Sequence, residues 1–335
     1  MFDNIVKDIH RIKPLVHCIT NYVSINDCAN ILLASGGAAI MAEDAHEVEE
    51  ITSLCNGLNI NIGMINDNKL KSMLLVGKKA NELNHPVVLD PVGAGASEFR
   101  TQAALKIISN IRLAAIRGNI SEMKAIAGAV SDKGSSNGNK LYHTESKGVE
   151  VSDIDRINGD NLPDVVDFAA GLAKKLDTVI CMTGKIDIVT NGRTVYCIRN
   201  GNPLMSKVTG EGCQLSALTT AYITTAHSIM ENDDTMKNDK IMENDNIIKN
   251  DNVMEDNNVM ENNNIMKNDN DTLEIYVRAA AAAVCVMGVS GEIAYDRMSE
   301  PDGNASYRNY IIDAVYNMTD EILEDRCRVE VMNYE

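Results

Sequence analysis

Tryptophan is absent from the 335-residue chain and phenylalanine occurs three times, so aromatic residues make up only 4% of it. That supply leaves little for stacking on bases and argues against a nucleic-acid binder. Positive charge is also short: 31 Lys and Arg stand against 48 Asp and Glu, a formal net charge of −17. Nucleic acids and anionic membranes need clustered cations, so neither is an expected partner, and a small-molecule substrate fits better. No run of eighteen apolar residues occurs, and the first residues, Met1-Phe2-Asp3-Asn4-Ile5-Val6-Lys7-Asp8, lack a signal-peptide pattern. A cytoplasmic protein is expected. The eight cysteines (Cys18, Cys28, Cys55, Cys181, Cys197, Cys213, Cys285, Cys327) include no CxxC pair and fall mostly in apolar runs. Free buried thiols in a reducing compartment are therefore expected, rather than disulfides or a zinc site.

What is present is an alternation of short apolar runs with helical patterns. Leu15 to Asn21 reads as a buried strand ending in polar residues, and a helix from about Ser24 stops at Gly36-Gly37. Ala38 to Met41, Leu58 to Gly63, Pro86 to Asp90, Ala114 to Ile116 and Val179 to Met182 continue the strands, with helices between them. Strands without polar alternation, separated by amphipathic helices, predict a parallel sheet covered on both faces. Ligands of such sheets bind beyond the carboxyl ends of the strands. The chemically useful residues fall there: Asp90 before Pro91-Val92-Gly93-Ala94, Arg117-Gly118-Asn119 before Ser121-Glu122, and Thr183-Gly184. Tyr276 to Val289 predicts an alanine-rich helix that continues through Ala294, and Asn304 to Leu323 predicts a last helix.

One segment breaks the pattern. From Met230 to Asp271, Met or Ile recurs every six residues among Asn, Asp, Glu and Lys, with twelve acids against four lysines, a net −8. Six matches no helical period, and one apolar residue in six buries too little area to offset ordering entropy. Asn and Asp also favour local side-chain bonds over helix. The expectation is one domain formed by residues 1–229 and 272–335, interrupted by a disordered low-complexity insertion at 230–271.

The stretch Val208-Thr209-Gly210-Glu211-Gly212-Cys213 carries the chemistry most directly. Two glycines run into an apolar helical pattern, where backbone N–H groups can converge on an anion. Cys213 falls in the first helical turn, whose positive end is expected to lower a thiol pKa. A phosphate cradle with a reactive group beside it and a tight loop with a buried structural cysteine both fit these residues. Gly93-Ala94-Gly95-Ala96-Ser97 is no dinucleotide fingerprint: its third glycine is missing and it follows the fourth strand rather than the first.

Several stretches together resemble one family: His17-Cys18-Ile19-Thr20-Asn21, Ile40-Met41-Ala42, Asn61-Ile62-Gly63, Leu89-Asp90-Pro91-Val92-Gly93-Ala94, Arg117-Gly118-Asn119 with Ser121-Glu122, Thr183-Gly184, Val208-Thr209-Gly210 with Gly212-Cys213, and Gly291-Glu292. In order and spacing they are similar to the hydroxyethylthiazole kinases of thiamine salvage. The resemblance covers the chain apart from the low-complexity segment. It implies a ribokinase-like α/β fold with a mostly parallel central sheet and helices on both faces. It also implies a homotrimer with sites at subunit interfaces, and transfer of the ATP γ-phosphate to the alcohol of 4-methyl-5-(2-hydroxyethyl)thiazole.

The same resemblance assigns roles. Asp90 and Glu122 would hold Mg²⁺, largely through water, because that ion keeps much of its hydration shell. A solvated Asp and a helix-first-turn Glu favoured by the dipole are the plainer readings of these two. Arg117 and Thr183 would contact ATP, Met41 and Asn21 the thiazole alcohol, and Cys213 would accept the hydroxyl proton. Gly210 and Gly212 would form an anion hole, with Gly210 also facing the substrate. The chain departs from the family at Glu211, where a small residue is usual. A carboxylate turned inward would repel phosphate, so a slow or non-catalytic thiazole or nucleotide binder is the competing reading. A pyrimidine alcohol kinase is the nearest rival within the kinases.

Overall fold

The computed structural model describes residues 1–2, 4–132, 161–248 and 269–334. A nine-stranded sheet has the order β2-β1-β3-β4-β5-β6-β7-β8-β9. Its parallel part is β1 (Leu15–Ile19), β2 (Ala38–Ile40), β3 (Gly57–Asn61), β4 (Val87–Asp90), β5 (Ala115–Asn119) and β6 (Val179–Thr183). Three antiparallel strands extend it: β7 (Asp187–Thr190), β8 (Thr194–Ile198) and β9 (Val329–Asn333).

Successive strand side chains point to opposite faces, and both faces are apolar, as expected for strands with helices on each side. Val16, Cys18, Val88, Ala115, Val179 and Cys181 join one buried cluster. It includes residues of α1 (Ile5–Ile12), α2 (Ile25–Ala34), α8 (Glu211–Ile248), α9 (Asn270–Asp296) and α10 (Asn304–Tyr316). Leu58, Ile60, Val87, Leu89, Ile116, Ile180 and Met182 join the other. That face is covered by α3 (Val48–Leu54), α4 (Asp67–Glu82), α5 (Glu98–Ile108), α6 (Ile120–Asp132) and α7 (Leu162–Leu176). Helix α9 is long and apolar enough to cross a membrane, but it is mostly buried. Its run Ala279 to Ala283 is buried throughout, and small side chains let it pack closely on α8. The eight cysteines are free thiols, seven of them buried.

Two expectations are corrected. Residues 230–248, read as part of a disordered insertion, continue α8 as helix, while residues 249–268 lie outside the described ones. Once the buried half of α8 has nucleated a helix, each further residue adds a hydrogen bond, which overrides the modest propensity of Asn and Asp. The last helix divides into α10 and α11 (Asp320–Arg326). Thr319 caps the new start by accepting Ile322 N–H at 3.2 Å, with Asp320 and Glu321 in the favourable first turn. The antiparallel extension was not expected, although Asn191-Gly192 between β7 and β8 is a hairpin signal.

Candidate functional site

The carboxyl ends of β1, β3, β4, β5 and β6 surround the first turn of α8, and the polar residues gathered there form one hydrogen-bonded network. Asp90 ends β4 directly beside Asn61, which ends β3. Its Oδ2 accepts Asn61 Nδ2 at 2.9 Å and Ser216 Oγ at 2.6 Å, and lies 3.8 Å from Arg117 Nη1. Asn61 Nδ2 also donates to Cys213 Sγ at 3.2 Å, as does Asn21 Nδ2 at the same distance. Arg117, in the middle of β5, donates through Nη2 to Thr183 Oγ1 at 3.0 Å on the neighbouring β6. Asn21, Asp90, Arg117, Thr183 and Cys213 are thus joined across some 190 residues of sequence.

Glu122 fulfils the plainer reading and still stands at the site. Its Oε2 accepts Asn119 N–H at 2.8 Å, while Asn119 Oδ1 accepts Glu122 N–H at 2.9 Å, a reciprocal cap on α6. The other oxygen accepts Gly93 N–H at 2.8 Å and so ties the β4 loop to the start of α6. Burial, reinforced by Asp90, pushes the Glu122 carboxyl up to about 7. Burial also raises Asp90, against the opposing pull of Arg117.

Both glycines answer to close approaches. Gly210 has φ +82°, and a Cβ there would lie 2.7 Å from Ser24 Cβ. A Cβ on Gly212 would overlap Arg117 Nη1, so this glycine is what lets the guanidinium lie across the helix start. Glu211 between them is half-buried, with its carboxylate within the electrostatic reach of Arg117 and Asp90. Burial raises its carboxyl, while Arg117 pulls it down and Asp90 pushes it further up. Asp187, at the start of β7, accepts Gly184 N–H at 2.8 Å, and burial pushes it up to about 7. The lowered thiol expected of Cys213 is not found. Burial and the nearby Asp90 raise it above the ordinary thiol range, outweighing hydrogen bonds from Ser24, Asn21 and Asn61.

Met41 is placed at the same end of the sheet, after edge strand β2, half-buried against the core. It has no hydrogen bond into the network; its backbone is fixed through His17, whose Nε2 bonds Ala42 O at 2.9 Å. Burial lowers the His17 pKa, which keeps the ring neutral and suited to donate there. Asn61 and Ser216 were given no role from the sequence. A buried Asn on a strand and a Ser inside an apolar helix carry no signature of their own, though Asn61 stood in one of the quoted motifs.

The donor set suits a hard cation. Asp90 Oδ1 is buried without a hydrogen-bond partner, while Oδ2 is held by Asn61 and Ser216. Among the described residues no three acidic or imidazole groups converge as a full metal cage. An ion such as Mg²⁺ takes one or two carboxylates and keeps water or phosphate oxygens as its other ligands, and the unpartnered Asp90 Oδ1 could supply one. Arg117 Nε is likewise buried without a partner, leaving one donor of the guanidinium unused.

The profile of the Hydroxyethylthiazole kinase family matches residues 6–238. A hydroxyethylthiazole kinase of Clostridium acetobutylicum is 44% identical over 325 residues, covering 97% of either chain. Among solved structures, the hydroxyethylthiazole kinase protein of Pyrococcus horikoshii OT3 superposes with TM-score 0.71 at 26% identity, covering 98% of this chain and 97% of that one. A ribokinase-like superfamily protein from Enterococcus faecalis V583 gives TM-score 0.50 at 9% identity over 93% and 89%, which supports the fold alone. The fold is therefore the expected ribokinase-like one. With a family profile over more than half its length and a 44% identical relative along nearly all of it, the chain belongs to the hydroxyethylthiazole kinase family.

Proposed function

We propose that the protein transfers the γ-phosphate of ATP to the hydroxyl of 4-methyl-5-(2-hydroxyethyl)thiazole, in thiamine salvage in the cytoplasm. The observation that carries this reading is the network joining Asp90, Arg117, Thr183 and Cys213 at the first turn of α8, in a chain of this family.

Arg117 and Thr183 bind the ATP phosphates through the guanidinium Nη donors and the threonine hydroxyl. Gly210 and Gly212, at the start of α8, present backbone N–H groups to the transferring phosphoryl. Asp90 through Oδ1 and Glu122 through water would hold Mg²⁺, which when bound neutralises phosphate charge. Asn21 and Met41 receive the thiazole alcohol, and Gly210 brings backbone close to it. The Cys213 thiol stands beside the alcohol as a hydrogen-bonding group, and the hydroxyl proton passes to an oxygen of the transferred phosphoryl group as the new O–P bond forms and the bond to ADP breaks. The sulfur is protonated at neutral pH, and the transition state is loose, so positioning and charge stabilisation dominate. A homotrimer with sites at subunit interfaces is part of this proposal.

Purified protein with Mg-ATP and the thiazole alcohol should release ADP only when the alcohol is present and yield its phosphate ester. Glu211 favours a second reading. Its carboxylate lies within reach of Arg117, where phosphate charge must be accommodated, which suits a slow or non-catalytic binder. Binding of the alcohol without ADP release would support that reading, and preference for a pyrimidine alcohol would reassign the substrate.

A further inference from the structure

Lys69 is a charged side chain that the phosphate chemistry does not use, and it is only 3% exposed. Its ammonium lies 2.8 Å from Glu43 Oε2, 3.4 Å from Thr20 O and 3.9 Å from the centre of the Tyr22 ring. Tyr22 in turn donates its hydroxyl to the other oxygen of Glu43. Lys69, Glu43 and Tyr22 therefore close a triangle over the carboxyl ends of three adjacent strands. Thr20 and Tyr22 follow β1, Glu43 follows β2, and Lys69 lies in the first turn of α4 after β3.

The corner at Lys69 is the rigid one. Its backbone N–H is bonded at 2.9 Å to the capping side chain of Asn66, and α4 packs into the core through Leu70, Met73 and Val76. The other two corners are loops. Asn21 lies between Thr20 and Tyr22, and Met41 lies two residues before Glu43. The two residues assigned to the alcohol are thus each flanked by a group that Lys69 holds. Tyr22 and Val23 are 55% and 63% exposed, while Asn21 is tied to Cys213 and Asn61, so Lys69 holds the outer part of the first loop. A buried ammonium needs its partners, here a carboxylate, a carbonyl and an aromatic face.

We propose that Lys69 is a positioning residue for the thiazole-alcohol side of the site, drawing the loops that carry Asn21 and Met41 into their binding arrangement through Glu43, Thr20 and Tyr22. The proposal rests on the assignment of Asn21 and Met41 to the alcohol. Lys69→Met keeps the aliphatic stem and removes only the charge, so the core contacts of α4 remain. Misplacing a binding group by even an ångström lowers catalytic efficiency by one to two orders of magnitude.

The test uses the full-length protein, with steady-state kinetics in which each substrate is varied and calorimetric binding of the thiazole alcohol in the absence of ATP. Lys69→Met should raise the KM and Kd for the alcohol by about tenfold while the KM for ATP stays within about twofold, and Lys69→Arg should restore most of the loss. Tyr22→Phe, which removes one hydrogen bond at an exposed residue, should move the same two constants in the same direction by about threefold, and it serves if Lys69→Met does not fold. Equal rises in both KM values, or an unchanged alcohol Kd in either variant, would overturn the proposal while leaving the kinase reading intact. Wild-type protein that neither binds nor phosphorylates the alcohol would overturn the kinase reading, and the positioning role with it.

Discussion

At the scale of single residues, the groups that carry opposed demands are the informative ones. Cys213 sits in the first turn of a helix, yet burial and Asp90 keep its thiol protonated. Its contribution is therefore modest: Cys213→Ser should lower kcat by about tenfold and leave the alcohol Kd within about twofold, as calorimetry would show, because a loose transition state asks little of a base. Glu211 shares the single Arg117 guanidinium with Asp90 and Glu122. Glu211→Thr frees part of that charge for phosphate, and kcat/KM for Mg-ATP should rise by about tenfold, some 1.4 kcal/mol of barrier. Asp187 offers a titration outside the proposed metal ligands. Its folded pKa of about 7 lies above its usual value, so the folded state holds a proton that the unfolded state releases. That group's contribution to stability is present at low pH and declines as pH rises toward 7. Asp187→Asn should therefore raise Tm at pH 8 and change it little at pH 4.5, in thermal melts without nucleotide. The acid, arginine and cysteine positions were legible because their residue types and spacing resemble a family. The raised Glu211 carboxyl and the raised thiol were not legible, since both depend on burial set by distant segments.

At the scale of elements, the alternation of buried strands and amphipathic helices marked out the parallel core, because a strand covered on both faces shows as a short continuous apolar run. Element ends and extensions were less legible. The break between α10 and α11 depends on the Thr319 cap, which competes with a helical pattern that runs straight through it. The extension of α8 to Ile248 depends on a helix already nucleated by its buried half, which no local composition reveals. The two long helices meet where that extension begins: Thr272 Oγ1 lies 3.8 Å from Met230 Sδ. A short bridge can span this contact. Replacing residues 233–268 by a glycine-serine linker of about six residues should leave kcat and both KM values within about twofold, because loop-closure entropy varies slowly with length. A large loss in the same assays would show that the acidic segment acts on the site.

At the scale of the whole molecule, the assembly is the next measurement. The proposed homotrimer should run, by light scattering at neutral pH, at three times the 36.5 kDa chain mass. A monomer that retained full activity would remove the subunit interface from the site. The network around Asp90 also bears on how the protein is made. Its members, residues 21, 61, 90, 117, 183, 213 and 216, come from four parallel strands, the loop after a fifth, and a helix that docks across them. Parallel pairings close long loops before they gain contacts, so topologies of this kind fold slowly. A nascent chain emerging from the ribosome presents most of the site's groups well before α8 is available to gather them. During refolding from denaturant, secondary structure should therefore return ahead of alcohol-dependent ADP release, and enzymatic activity should report the last docking event rather than the first collapse.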